Sequence, residues 1–267
     1  MERAFKWEAN GLSALPRRIE QIIWAPIFWG ALIFWVSTAW AEDQTVTVFT
    51  EQWAPYNYEE DGAVKGISVE IVQKLMDEVG ATAKFVILPS MRSTATMAKT
   101  PGSMFISLFR TEERENKYHW VGPIVSSSVY FYKRVDSALE IDTLEDAKGV
   151  NRVASRYAGL VHTLLQQNGF TNLEDTAKNG REVYRKLLAG RSDLGISDSP
   201  MGVKYILQQL GLPMTALTQT SVKILDMELY IAVHKSVSPQ EVKKWQAVLD
   251  RMKASGRYDQ IIKKYSE

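Results

Sequence analysis

Arg114 stands three residues after Thr111 in the run Thr111-Glu112-Glu113-Arg114. Threonine is suited to cap a helix, which places Arg114 in a first helical turn. There the macrodipole disfavours a cation, and Glu112 and Glu113 are the expected occupants. A guanidinium so placed gains most when an anion lies beside it, because its planar fork fits a carboxylate and the helix end adds free amide donors. The competing reading is a surface arginine paired with Glu112 or Glu115, a contact of little energy. Asp198 is the second such residue, following Leu194-Gly195-Ile196-Ser197 and preceding Ser199-Pro200. Groups beyond the carboxyl ends of strands in an open α/β sheet face the ligand crevice. An aspartate two residues ahead of a proline also suits a helix N-cap, and both uses stay open.

Trp53, Tyr56 and Tyr58 follow an apolar strand and could stack on a ligand or donate from a hydroxyl, although half-buried aromatics also serve packing. Ser107 and Phe109 flank the end of another strand, and Ser126 to Ser128, Arg156 and Tyr157 fall in stretches able to reach a cleft. The chain has 0 cysteines, which excludes a disulfide framework, a thiolate metal site, a cysteine nucleophile and a lipid anchor on cysteine. His119, His162 and His234 lack the i, i+4 spacing of a helical zinc site. No metal and no cofactor is expected. Lys plus Arg total 32 and Asp plus Glu 31, so overall charge offers no reason to propose nucleic acid as a partner. No nucleophile with an adjacent base and no phosphate loop stands out, which argues against an enzyme.

These residues need a frame. Residues 1–41 hold Arg17 and Arg18, an apolar run from Ile22 to Val36 and an Ala39-Trp40-Ala41 end. That order predicts a signal peptide cleaved after Ala41 and a periplasmic location; an apolar run broken by Pro26 and Gly30 is short for a membrane span. From Thr45 onward, short apolar runs alternate with helical periods, the rhythm of parallel strands covered by helices. The first series predicts strands Thr45–Thr50, Lys84–Leu88 and Met104–Phe109 with helices Ser68–Val79 and Met91–Lys99. The second predicts strands Arg152–Ser155, Asn172–Asp175 and Asp193–Ser197 with helices Leu160–Gln167, Arg181–Ala189 and Met201–Leu210. Asp142 is the expected cap of a short helix between the series, next to an extended run Val129–Arg134. Strand Leu229–Val233 and helices Pro239–Ala254 and Tyr258–Tyr265 close the chain and are expected to return to the first lobe. The expected organisation is lobe 1 from 42–132 and 226–267, lobe 2 from 133–225, and hinge crossings near Lys133 and Met227.

Trp53-Ala54-Pro55-Tyr56-Asn57-Tyr58, Gly62-Ala63-Val64-Lys65-Gly66-Ile67-Ser68-Val69-Glu70 and Thr111-Glu112-Glu113-Arg114 occur in an order that resembles family 3 of the bacterial extracellular solute-binding proteins, the polar amino-acid-binding group. The resemblance implies an α/β, two-lobed, type II periplasmic-binding-protein fold with ligand in the inter-lobe cleft. It implies a non-enzymatic monomer that captures an amino-acid-like solute for an inner-membrane ABC permease. It assigns the ligand carboxylate to Arg114 and the ligand ammonium to Asp198, with Trp53, Tyr56, Ser107, Phe109 and Tyr157 as further candidates. A dehydratase or lyase on the same fold and a ligand-sensing module are the alternatives. Phe109 and Arg110 depart from the family pattern, which tends to a small hydroxyl residue before the Thr-x-x-Arg turn, as does Thr100-Pro101-Gly102-Ser103 where Gly-x-x-Asp is usual.

Overall fold

The computed structural model describes residues 44–157 and 159–266. The expected signal peptide and its cleavage point lie outside these residues. In chain order the elements are β1 (Gln44–Thr50), β2 (Tyr58–Glu60), β3 (Ala63–Lys65), α1 (Ile67–Val79), β4 (Ala81–Ile87), α2 (Ser90–Met97), β5 (Met104–Phe109), α3 (Glu112–Glu115) and β6 (His119–Arg134). There follow α4 (Leu144–Gly149), β7 (Val153–Arg156), α5 (Leu160–Gln167), β8 (Leu173–Ala177), α6 (Gly180–Leu188), β9 (Leu194–Ile196), α7 (Pro200–Gln209), β10 (Leu217–Val233), α8 (Pro239–Ala254) and α9 (Arg257–Ser266).

The sheet order is β4-β1-β5-β10-β6-β9-β7-β8. β1 runs parallel to both β4 and β5, and β7 runs parallel to both β8 and β9. Each end of the sheet therefore carries its own parallel trio in the order second, first, third. β6 and β10 lie antiparallel between the trios, paired from Leu217 against Arg134 to Val233 against His119. Both strands are longer than the apolar runs predict. Gly122, Pro123 and Ser126 to Ser128 interrupt the hydrophobic pattern of β6, and pairing with β10 supplies the regularity that local sequence lacks. Their ladder shifts register between Gln219 and Lys223, between Lys223 and Leu225, and between Leu229 and Ile231.

α1 buries Ile71, Val72, Leu75 and Met76, a helical stripe in which each fully buried side chain stabilises by about 1.5–3 kcal/mol. It ends where Gly80 takes φ 73 and its N–H bonds back to the Asp77 carbonyl. α8 and α9 pack on α1. Arg257 pairs with Glu78 of α1 at 2.6 Å and Lys264 with Glu70 at 2.9 Å. A second apolar cluster joins Tyr132, Val183, Tyr184, Leu187, Val203 and Leu207 beneath the β7-β8-β9 trio.

Two caps fall one residue after the expected aspartates. Thr143, rather than Asp142, caps α4: its Oγ1 accepts from the Asp146 amide at 3.1 Å while Asp146 Oδ2 accepts from the Thr143 amide at 2.8 Å. This reciprocal box satisfies two helix-end donors at once, and Asp142 instead accepts from Ser221 Oγ at 3.2 Å. Ser199 caps α7, with Pro200 in its first turn. β2 and β3 pair as a short antiparallel hairpin that the apolar runs do not mark. Asp61 and Gly62 take φ 54 and 75 there, the double left-handed geometry that an Asp-Gly pair favours.

Candidate functional site

A cavity of about 760 Å³ opens between the carboxyl ends of the two parallel trios. One wall comes from Trp53 after β1, Ser107 and Phe109 of β5, and Arg114 of α3; the other from Arg156 of β7, Gly180 and Arg181 of α6, and Ser197 and Asp198 after β9. Val129 of β6 and Met227 of β10 also line it. The cavity thus lies where open α/β sheets hold ligands.

The loop after β1 is held by its own backbone. Trp53 and Asn57 exchange N–H to carbonyl bonds at 2.7 and 3.0 Å, and the first amides of α1, Ile67 and Ser68, donate to the Pro55 and Tyr56 carbonyls at 3.0 and 2.9 Å. Gly66 makes this possible: its φ is 124, and a Cβ there would sit 2.4 Å from the Tyr56 carbonyl oxygen. The loop thereby brings Trp53 from the cavity wall, and Tyr56 from the buried interior behind it, to Asp198. Trp53 Nε1 donates to Asp198 Oδ2 at 2.7 Å and the Tyr56 hydroxyl donates to Oδ1 at 2.9 Å. The Ser199 amide adds a third bond to Oδ1 at 2.8 Å, and the Tyr56 and Ser199 hydroxyls are also in contact.

Asp198 is only 3% exposed. Burial pushes its carboxyl up to about 6, opposed by the bonds from Trp53, Ser199 and Tyr56 and by the charge of Arg156. The same burial, reinforced by that carboxylate, pushes the Tyr56 hydroxyl well above its ordinary range. α7 makes room for the carboxyl at Gly202, where a Cβ would fall 2.3 Å from Asp198 Oδ1.

Arg114 is half-buried in the one-turn α3, and its Nη1 donates to the Phe109 carbonyl at 3.2 Å. Thr111 precedes the turn with extended backbone but forms no side-chain cap bond. Arg110, next to Phe109, turns away from this work: Nε donates to Glu115 Oε2 at 2.7 Å, and the guanidinium lies 5.6 Å from the Tyr230 ring centre. Phe109 packs at 6.0 Å from Trp53, ring centre to ring centre. Ser107 is buried with φ 62, an uncommon left-handed conformation for a residue with a Cβ, and its hydroxyl bonds Ser68 Oγ at 2.8 Å. Strain of this kind is often retained where it shapes a site.

Of the sequence candidates, Trp53, Ser107, Phe109, Arg114, Arg156 and Asp198 line the cavity. Tyr56 is fully buried behind Asp198, and Tyr157 is 58% exposed with its ring 5.7 Å from His162; neither is among the lining residues. Met91, Asn179, Gly180, Arg181, Tyr205 and Gln209 line it without having been singled out from sequence. The signal for Asn179 and Gly180 was the Asn-Gly start of α6, in which Asn179 Oδ1 accepts from the Glu182 amide at 2.9 Å. No group of acids and histidines able to hold a metal occurs among the described residues.

Two parallel trios, each closed by the same pair of antiparallel strands and facing one cavity, define a type II periplasmic-binding-protein fold. Solved structures share it. A histidine kinase sensor domain with similarity to periplasmic binding proteins superposes with TM-score 0.70 at 20% identity, covering 83% of this chain and 95% of that one. The P235GK mutant of ArgBP from T. maritima gives 0.67 at 20% identity, covering 83% and 94%. An ancestral amino acid-binding protein, a precursor of cyclohexadienyl dehydratase, gives 0.68 at 19% identity, covering 84% and 95%. No curated protein matches the chain in sequence. Residues 46–267 match the bacterial extracellular solute-binding proteins, family 3, and the chain belongs to that family.

Proposed function

We propose that this protein is a periplasmic solute-binding protein, non-enzymatic and monomeric, that closes on a small polar, amino-acid-like solute and delivers it to an inner-membrane ABC permease. In this reading residues 42–132 and 226–267 form one lobe and 133–225 the other, with hinges near Lys133 and Met227. The observation that carries it is the cavity itself: about 760 Å³, walled from both parallel trios, with the Trp53 and Tyr56 bonds to Asp198 joining the two walls. A solute touching both walls has little affinity for an open form and so draws the population toward closure. Arg114 supplies the carboxylate grip, since an arginine beside a helix start is suited to bidentate recognition.

Asp198 was the expected partner of a ligand ammonium, but three hydrogen bonds already reach its two oxygens. The carboxylate half of the expectation is therefore the better supported. Calorimetric titration with small carboxylates and amino acids, read beside compaction in small-angle X-ray scattering, tests the proposal. Binding with compaction is expected, with at least a tenfold loss in Arg114→Ala, about 1.4 kcal/mol; full affinity in that variant refutes the Arg114 assignment.

A sensing role for the same clamp is the second reading, favoured by the likeness to a histidine kinase sensor domain. Loss of solute uptake in a deletion strain supports transport. Intact uptake with a lost transcriptional response supports sensing.

A further inference from the structure

The charged residues of the cavity divide by occupancy. On the acidic side, Glu113 is paired with Lys117 at 2.7 Å, Asp198 accepts from Trp53, Tyr56 and Ser199, and Glu51 is likewise engaged. On the basic side, Arg114, Arg156 and Arg181 all line the cavity. The Arg114 side chain donates to a carbonyl, and among the described residues none of the three forms an ion pair. Arg156 stabilises the charge of Asp198 from beyond ion-pair distance. It is half-buried at the end of β7, folded against Gly159, where a Cβ would lie 3.1 Å from its Nε. Arg181 is exposed at the start of α6.

An ammonium entering this cavity meets acids that already have partners and guanidinium groups that repel it. An anion meets the reverse. Arg114 comes from the wall built by β5 and α3, and Arg156 from the wall built by β7, so two acidic groups on one framework would bridge the walls and favour closure. Phe109, Met91, Leu160 and Val161 line the same cavity, apolar surface suited to a hydrocarbon spacer.

We infer that the cleft selects a small dicarboxylate, one carboxylate on Arg114 and the other on Arg156, in preference to a zwitterionic amino acid. This inference rests on the solute-binding reading and sharpens it. The polar network around Asp198 then serves to join the walls rather than to hold a ligand amine.

The test uses protein unfolded and refolded to remove any retained solute. Succinate, glutarate, adipate, butyrate, glutamate and arginine are titrated calorimetrically against the wild type, Arg156→Gln and Arg156→Lys. One of the dicarboxylates is expected to bind about tenfold or more tightly than butyrate, glutamate and arginine, a preference that one added charge pair can supply. Arg156→Gln is expected to erase the preference over butyrate while changing butyrate affinity less than about threefold. Arg156→Lys keeps the charge and part of the preference, which separates lost recognition from lost folding. Glutamate or arginine binding most tightly overturns the inference, as does an Arg156→Gln variant that weakens butyrate and dicarboxylates alike. No binding by any dicarboxylate overturns it as well. In each of these cases compaction with another panel member leaves the solute-binding reading standing. Absence of compaction with every member, together with no retained small molecule in native mass spectrometry of protein never unfolded, sinks both.

Discussion

Replacing Gly202 by alanine puts a methyl group where the Asp198 carboxyl now sits. The Cβ would lie 2.3 Å from both Cγ and Oδ1 and 2.8 Å from Cβ of Asp198. No real contact is that short, and Asp198 is packed in the buried interior, so the carboxyl must swing away. It then loses the bonds from Trp53, Tyr56 and the Ser199 amide. The three donors left unpaired in the buried site cost about 1–3 kcal/mol each. Offsetting terms are about 1 kcal/mol from replacing glycine inside a helix and about 3 kcal/mol regained as a carboxylate held near 6, its bonds included, returns to water. The net loss is about 2 kcal/mol, a fall in Tm of roughly 4–8 °C for a chain of this size. Calorimetric melting measures it, with Gly149→Ala as control, since a Cβ at Gly149 meets nothing within 4 Å. A Gly202→Ala protein melting within about 2 °C of the wild type would show that the Asp198 network does not hold the two walls together.

The Asp198 carboxyl, raised to about 6 from 3.8, makes the folded state bind more protons than the unfolded chain between those values. Its contribution to stability is full below pH 4 and is lost as pH rises through 6. The unfolding free energy of the wild type minus that of Asp198→Asn should fall by about 3 kcal/mol across this window, and a flat difference in urea titrations contradicts the assigned burial. Ser107, at φ 62 with its hydroxyl on Ser68, should show an unusual order of variants. Ser107→Gly loses about 1 kcal/mol of hydrogen bonding and regains about as much from relieved strain, whereas Ser107→Ala only loses. Urea unfolding that ranks alanine at or above glycine refutes the strain. Tyr56→Phe removes one donor from a buried carboxylate and should cost about 1–3 kcal/mol, with a further rise in the Asp198 pKa readable by carboxyl NMR.

What sequence alone determined about this protein are the features carried by local periodicity and end signals. The stripe Ile71, Val72, Leu75 and Met76 with Gly80 after it marks α1, and alternation of short apolar runs with such stripes marks an α/β fold. The arginine after Thr111 was legible because a cation in a first helical turn is out of place. Tertiary structure decided the rest. β6 and β10 exceed their apolar runs because each strand's regularity is provided by the other, through pairing that spans from Leu217 with Arg134 to Val233 with His119. The cap of α7 passed from Asp198 to Ser199 because Trp53 and Tyr56, more than 140 residues away in sequence, claim the aspartate. Arg181 joined the cavity through the packing of α6 on β9. Which charge in a cleft finds a partner depends on side chains brought together by folding, and no spacing along the chain records that.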